Sequence, residues 1–206
     1  MTRRLRHTRR VERLALLGSL LALFGELHPL YDQWGQASRD AQCKGMHGDH
    51  LVHDDGTPAD GTRPRSQLVT ASQLGRRSAA RHAATYTAGQ LVAAAAVTRA
   101  CGYRVPAGPL LVGGAITAVT HAVIDRRRLL LRCASKFGKG TYVENFGAVR
   151  MEENGTLRVD LSGPGTALFE LDQAAHRAFG VIAAVAVTCL AVREKATADT
   201  PGAVAQ

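Results

Sequence analysis

The chain has 206 residues, which is enough for one domain with a sizeable core or a compact membrane bundle, and too few for two large domains. Its formal net charge is +9, carried almost entirely by Arg, and the Arg residues cluster beside apolar segments as they do at the flanks of membrane helices. This placement argues against a nucleic-acid partner, and the four scattered Cys argue against a disulfide framework or a zinc ribbon.

The first apolar segment follows a basic N-terminal arm at residues 1–13. It runs from Leu14 to Gly25 and continues to His28. A signal peptide has an apolar region of about this length, but no A-x-A cleavage pattern follows, so we predict a retained helix. A polar loop rich in turn residues is predicted at 37–77.

Two further apolar helices follow this loop. The second is predicted from about Ser78 to Ala100, and the third begins after Pro106 and ends at Asp125. Arg126 to Arg128 come next and are predicted to anchor the helix end, although they could instead hold a lipid phosphate.

A second loop is predicted at 133–165. It contains Asn154-Gly155 between two runs of alternating apolar residues, which predicts a small β-hairpin at 149–161. The fourth helix is predicted from about Thr166 to Val192, and a disordered tail at 193–206.

These elements predict an all-α protein, an antiparallel bundle of about four membrane-embedded helices that forms a single domain over 14–192. A soluble Ala-rich bundle is the alternative. It is disfavoured because helices that are apolar on nearly all sides leave little polar surface to face water.

Three helices carry a His and an Asp four residues apart, and a fourth His opens the second helix. The residues are His28 with Asp32, His121 with Asp125, Asp172 with His176, and the separate His82. Residues four apart lie on one helix face, and in an up-down-up-down bundle all seven fall at the same end. We therefore predict one shared site.

Imidazole nitrogens and carboxylate oxygens are ligands that Zn²⁺ accepts. All seven residues are candidate ligands of a divalent metal, with zinc expected, and Asp32 and Asp125 are also candidate catalytic carboxylates that would act as a general base. The alternative is that each pair is a hydrogen bond that only fixes helix packing. The loop with His47, His50 and His53 is interpreted as a flexible polar segment.

At these residues the chain resembles the DUF3307 family, small bacterial and phage membrane proteins of uncharacterised function. The pattern H-x3-D-x3-Q-x7-K is matched by His28, Asp32, Gln36 and Lys44, and the final D-Q-x2-H by Asp172, Gln173 and His176. The lone His and the second H-x3-D are matched by His82, His121 and Asp125. The resemblance covers about residues 25–190.

The H-x3-D helices are also similar in ligand spacing to membrane-bound metal-dependent hydrolases and, more distantly, to zinc phospholipase C and P1 nuclease. This similarity implies a hydrolase of a lipid or phosphoester, with membrane lipid as the partner. The alternative is a non-enzymatic membrane accessory or assembly protein, for example of a mobile element. We predict a multi-pass protein of the bacterial inner or plasma membrane with its site end cytoplasmic, because the two long loops are rich in Arg.

Overall fold

The computed structural model describes residues 2–61, 64, 66 and 68–198. In this part of the chain the protein is mostly helical, which confirms the predicted all-α class. The helices are α1 (Thr2–Glu26), α2 (Ser38–Cys43), α3 (Ala71–Ala100), α4 (Ala107–Asp125), α5 (Arg128–Lys136), α6 (Gly140–Asn145) and α7 (Ala167–Ala198). The strands are β1 (Leu51–Val52), β2 (Val69–Thr70), β3 (Ala148–Met151) and β4 (Leu157–Asp160), and a π-helical turn covers Leu30–Trp34.

Three helical segments of the described chain are long and apolar enough to cross a membrane. They are His7–Trp34, Ala107–Asp125 and Ala167–Lys195, with 28, 19 and 29 residues. A crossing helix needs about 20 residues, so each meets or nearly meets that length. The other long helix, α3, has 30 residues and carries Arg76, Arg77 and Arg81 in its first half.

Several helix ends differ from the predictions. α1 begins at Thr2, so the described part of the predicted arm is helical, and α3 begins at Ala71 rather than at Ser78. α7 continues to Ala198 because residues 193–198 contain no Gly or Pro to end the helix, which corrects this part of the predicted tail. Residues 199–206 of the predicted tail lie outside the described residues.

The chain divides into two compact units. The first comprises the described residues within 1–37, 82–119 and 177–206, and the second those within 38–81 and 120–176. α3, α4 and α7 each contribute residues to both units. The single domain predicted over 14–192 stays a prediction.

The first unit has an apolar core made mostly by α1 and α7. Its buried members are Leu16, Leu20, Phe24, Ala94, Val105, Ala183, Ala184, Val187 and Ala191. Glycines bring the helices close, because a Cβ on Gly113 would overlap Val187 and one on Gly114 would lie 2.8 Å from Leu91. Small residues at helix contacts are typical of membrane bundles, where helices associate through close packing.

The second unit has a small core formed within the predicted 37–77 loop. Cys43, Val52, Ala71 and Leu74 are buried together there. β1 and β2 pair antiparallel, with Leu51 opposite Thr70. The 37–77 segment is therefore folded around a small core of its own. Its polar composition did not predict this.

The predicted β-hairpin is present, as β3 paired antiparallel with β4. Met151 lies opposite Leu157, and Ala148 lies opposite Asp160. Gly155 has a φ of +83°, a conformation that glycine adopts at little cost and that the Asn-Gly signal predicted.

Candidate metal site

The second unit contains four of the seven predicted site residues. His121 and Asp125 lie in the last turns of α4, and Asp172 and His176 lie near the start of α7. His121 Nε2 is 3.5 Å from Asp125 Oδ2, and His176 Nε2 is 4.0 Å from Asp125 Oδ1. The two imidazole rings have centroids 4.1 Å apart. Two helix ends thus supply two imidazoles and two carboxylates to one place.

Three of these residues form a group that could hold a metal ion. Asp125, Asp172 and His176 each offer one ligand atom, and these atoms all lie within 4.8 Å of one another. Metal bonds of about 2.0–2.2 Å at tetrahedral angles place the ligand atoms of one zinc ion about 3.3–3.6 Å apart. Side-chain movements of up to about 1.5 Å would bring the three atoms to that spacing. Asp125 and His176 are buried and Asp172 is partly buried.

The hydrogen bond made by the His176 ring suits metal binding. Its Nδ1 lies 2.9 Å from the backbone carbonyl oxygen of Asp172. A carbonyl oxygen can only accept, so Nδ1 carries a proton, and in the neutral ring Nε2 then has a lone pair for a metal ion. A hydrogen bond from the second ring nitrogen is the usual way in which a protein orients a histidine ligand. The Nε2 atom is also the one that faces Asp125.

Lys44 contacts the same carboxylate; it matches the last position of the H-x3-D-x3-Q-x7-K pattern but was not predicted to be a site residue. Its Nζ lies 2.8 Å from Asp125 Oδ1, and its side chain is only 12% exposed. The backbone carbonyl of Lys44 accepts a hydrogen bond of 3.1 Å from Arg126 Nη1. The ammonium group neutralises the buried carboxylate and is therefore a competitor for any metal ion at Asp125.

His47 of the His-rich loop has a different, structural role. Its Nε2 donates to the backbone carbonyl of Arg126 at 2.7 Å, and its Nδ1 accepts from Arg126 Nη2 at 2.6 Å. Both ring nitrogens are used in fastening the loop to the end of α4. This segment of the loop is fixed in place, contrary to the flexible segment that its composition predicted.

The first unit contains the other three predicted residues. His82 Nε2 lies 2.9 Å from Asp32 Oδ1, and His28 Nε2 lies 3.9 Å from Asp32 Oδ2. All three side chains are buried. Asp32 lies in the π-helical turn, which directly follows Pro29. Proline has no backbone N–H, so a regular helix loses a hydrogen bond at this position. π-helical turns are rare in proteins, and those that occur are often found at functional sites.

Tyr86 completes this first-unit group. Its hydroxyl lies 2.8 Å from His28 Nδ1, and it accepts a hydrogen bond of 3.4 Å from Gln90 Nε2. We assign the Tyr86 hydroxyl as the donor and His28 Nδ1 as the acceptor. The proton of the neutral His28 ring is then on Nε2, the nitrogen that faces the Asp32 carboxylate. The i, i+4 spacing from His82 to Tyr86 could have identified this residue from the sequence.

The described residues thus define a class of protein: a helical chain with three membrane-length apolar helices and a buried His/Asp group able to hold a metal ion. No family model matches the chain, and searches of curated proteins and of solved structures found no match. The DUF3307 resemblance therefore stays a prediction. The single site built from all seven residues also stays a prediction, with three of them in the first unit and four in the second.

Proposed function

We propose that the protein is a membrane-embedded, metal-dependent hydrolase that cleaves a lipid or a phosphoester at the membrane interface. The observation that carries this proposal is the group formed by Asp125, Asp172 and His176. It lies on α4 and α7, two helices that are long and apolar enough to cross a membrane. Charged carboxylates are costly in such helices and tend to mark functional positions.

The donor set suits a divalent ion, with zinc favoured by the mixture of imidazole and carboxylate. His176 Nε2 and one oxygen each of Asp125 and Asp172 would be the ligands. A bound ion would polarise the ester and lower the pKa of water toward neutrality. His121, 3.5 Å from Asp125 Oδ2, would orient that carboxylate.

Hydrolysis adds water across the ester: a new bond forms to phosphorus or to the carbonyl carbon, the ester bond breaks, and the alcohol leaves with a proton. A general base must take the proton of the water. Asp125 is the candidate for this role within the second unit. The catalytic role of Asp32, whose carboxylate accepts a hydrogen bond from His82 Nε2 in the first unit, stays a prediction. We place the reaction at the cytoplasmic side of a bacterial plasma membrane, following the Arg-rich loops.

An assay of hydrolysis with the detergent-purified protein tests the proposal. Phosphatidylglycerol and p-nitrophenyl phosphate serve as lipid and soluble phosphoester substrates. We expect activity that a chelator removes, that zinc or manganese restores, and that Asp172→Asn, which removes a proposed ligand, lowers by at least about 100-fold. His50→Gln is the matched control, because His50 lies exposed in the His-rich loop. Activity that survives chelation, or a metal-loaded protein that cleaves neither substrate, would contradict the proposal.

One observation favours a second candidate function. Lys44 already supplies the counter-charge that Asp125 needs. In that case the protein would be a non-enzymatic membrane accessory or assembly protein, and its His/Asp contacts would only hold helices together. Substitutions in the group would then lower thermal stability and function in parallel, whereas a hydrolase would lose activity at unchanged stability in at least one variant.

A further inference from the structure

A cavity of about 310 Å³ opens on the second unit, and four arginines line it. They are Arg76 on α3, Arg126 just after α4, and Arg128 and Arg132 on α5. The volume lies at the lower end of the range for small-molecule sites, so the cavity fits a headgroup better than a whole lipid.

The cavity has an excess of positive charge. No Asp or Glu lines it, and within the described residues none of the four arginines forms an ion pair with a carboxylate. The pKa of Arg126 is lowered, first by burial and then by repulsion from Arg76 and Arg128. Cations held this close together favour an anion between them.

Arg126 is also held in a fixed position. His47 and the carbonyl of Lys44 both bond its guanidinium group, and a side chain at Gly75 would overlap that group. A preorganised guanidinium loses little entropy on binding, and its planar fork matches the oxygens of a phosphate.

The remaining walls are apolar. Ala79, Val123 and Leu129 line the cavity beside the arginines. Val123 belongs to α4, close to the end of its membrane-length segment at Asp125. The end of such a segment is the level at which lipid headgroups lie, with acyl chains on one side and cationic side chains on the other.

We propose that this cavity binds the phosphate of an anionic phospholipid headgroup, with the four arginines around the phosphate and the apolar wall against the adjoining glycerol and acyl carbons. Free phosphate could contact the same arginines but would make no contact with the apolar wall. The site requires no metal ion, so it stands apart from the proposed hydrolase activity.

The test is a calorimetric titration of the detergent-purified protein with short-chain phosphatidylglycerol. The lipid is analysed after the titration to confirm that it is intact, because it is also a substrate in the hydrolase assay. Arg76→Gln combined with Arg128→Gln removes two cavity charges. Arg77→Gln combined with Arg127→Gln removes the same charge from neighbouring positions that do not line the cavity. We expect saturable binding to the wild type, weakened about tenfold or more by the first pair and within about twofold for the second.

Further arms of the experiment distinguish the possible ligands. Short-chain phosphatidylcholine, which is zwitterionic, should bind more weakly than phosphatidylglycerol, and inorganic phosphate should compete only at much higher concentration. Equal losses in the two double variants would overturn the site in favour of general charge attraction. Competition by inorganic phosphate at the lipid's own concentration would overturn the assignment to a lipid. The metal content of the same samples is measured as well. It tests the hydrolase proposal independently of whether the cavity binds lipid.

Discussion

Lys44 and Asp125 pose the main question at the scale of single residues. A buried carboxylate needs a counter-charge, and both an ammonium group and a metal ion can supply it. The 2.8 Å contact between Lys44 Nζ and Asp125 Oδ1 provides one such charge. Removing the ammonium group therefore separates a metal site from a structural ion pair.

We predict that Lys44→Met raises the affinity for zinc, because it removes a cation that competes for Asp125. Without metal the variant should be destabilised by about 3–5 kcal/mol, the cost of leaving a buried charge unpaired. Added zinc should then recover much of the lost melting temperature. Thermal unfolding in detergent with and without zinc measures both effects. A destabilised variant that zinc does not rescue would support the structural ion pair.

Asp40 on α2 provides a second residue-scale prediction, about pH. Burial alone raises the pKa of Asp40, but hydrogen bonds from Arg81 and Ser78 outweigh it and hold this pKa below the usual carboxyl value. A carboxyl with a depressed folded pKa stabilises the fold above its unfolded pKa, and that stability is lost as the pH falls through the folded pKa.

We therefore expect Asp40→Asn to lower the unfolding free energy at pH 7 by about 1 kcal/mol, a modest value because Arg81 is partly exposed. The difference from wild type should shrink below about pH 4, the ordinary range of an Asp carboxyl. Thermal melts between pH 7 and pH 3 measure it. Asp49→Asn, in an exposed loop, is the control, and a pH-independent difference would contradict the account.

At the scale of elements, close helix packing depends on glycine at particular positions. A Cβ on Gly113 of α4 would overlap Val187 of α7, whereas a Cβ on Gly18 of α1 would meet nothing within 4 Å. The same one-methyl change should therefore have opposite effects at the two positions.

We predict that Gly113→Ala destabilises the protein by about 1–3 kcal/mol through overpacking. Gly18→Ala should stabilise it by about 0.4–1 kcal/mol, since alanine favours the helix and has room there. Melting temperatures in one detergent compare the two variants. Equal effects would show that the packing at Gly113 is looser than described.

The sequence predicted the elements whose signals are local. Apolar runs located α4 and α7, and the Asn154-Gly155 turn located the hairpin. The π-helical turn was missed because Pro29 indicates only that regular hydrogen bonding is interrupted. α5 and α6 were missed because they are short and lie in a segment that is polar on average.

In the site as well, contacts between residues close in sequence were predicted, and contacts between distant residues were missed. The His and Asp pairs were predicted because i, i+4 spacing is a local rule, and each pair lies within 4.0 Å. Lys44 is 81 residues from Asp125 in the chain, so no local pattern could join them. His47 was misjudged for the same reason, since its partner Arg126 lies 79 residues away.

At the scale of the whole molecule, three membrane-length helices and the Arg-rich flanks account for both the apolar content and the +9 charge. A membrane protein should remain in the membrane fraction after washing with high salt and with carbonate. A basic nucleic-acid binder would instead be released by salt, because its contacts are mainly electrostatic. Fractionation followed by immunoblotting distinguishes the two, and release by salt alone would contradict the membrane assignment.

The central claim is that Asp125, Asp172 and His176 hold a divalent ion. The most direct test is the metal-to-protein ratio, measured by mass spectrometry on protein purified without chelators. We predict a stoichiometric divalent ion, with zinc favoured, that is lost in Asp172→Asn and in His176→Gln and retained in His50→Gln. A wild-type protein that is free of zinc, manganese and iron, and that cannot be loaded with any of them, would contradict the claim.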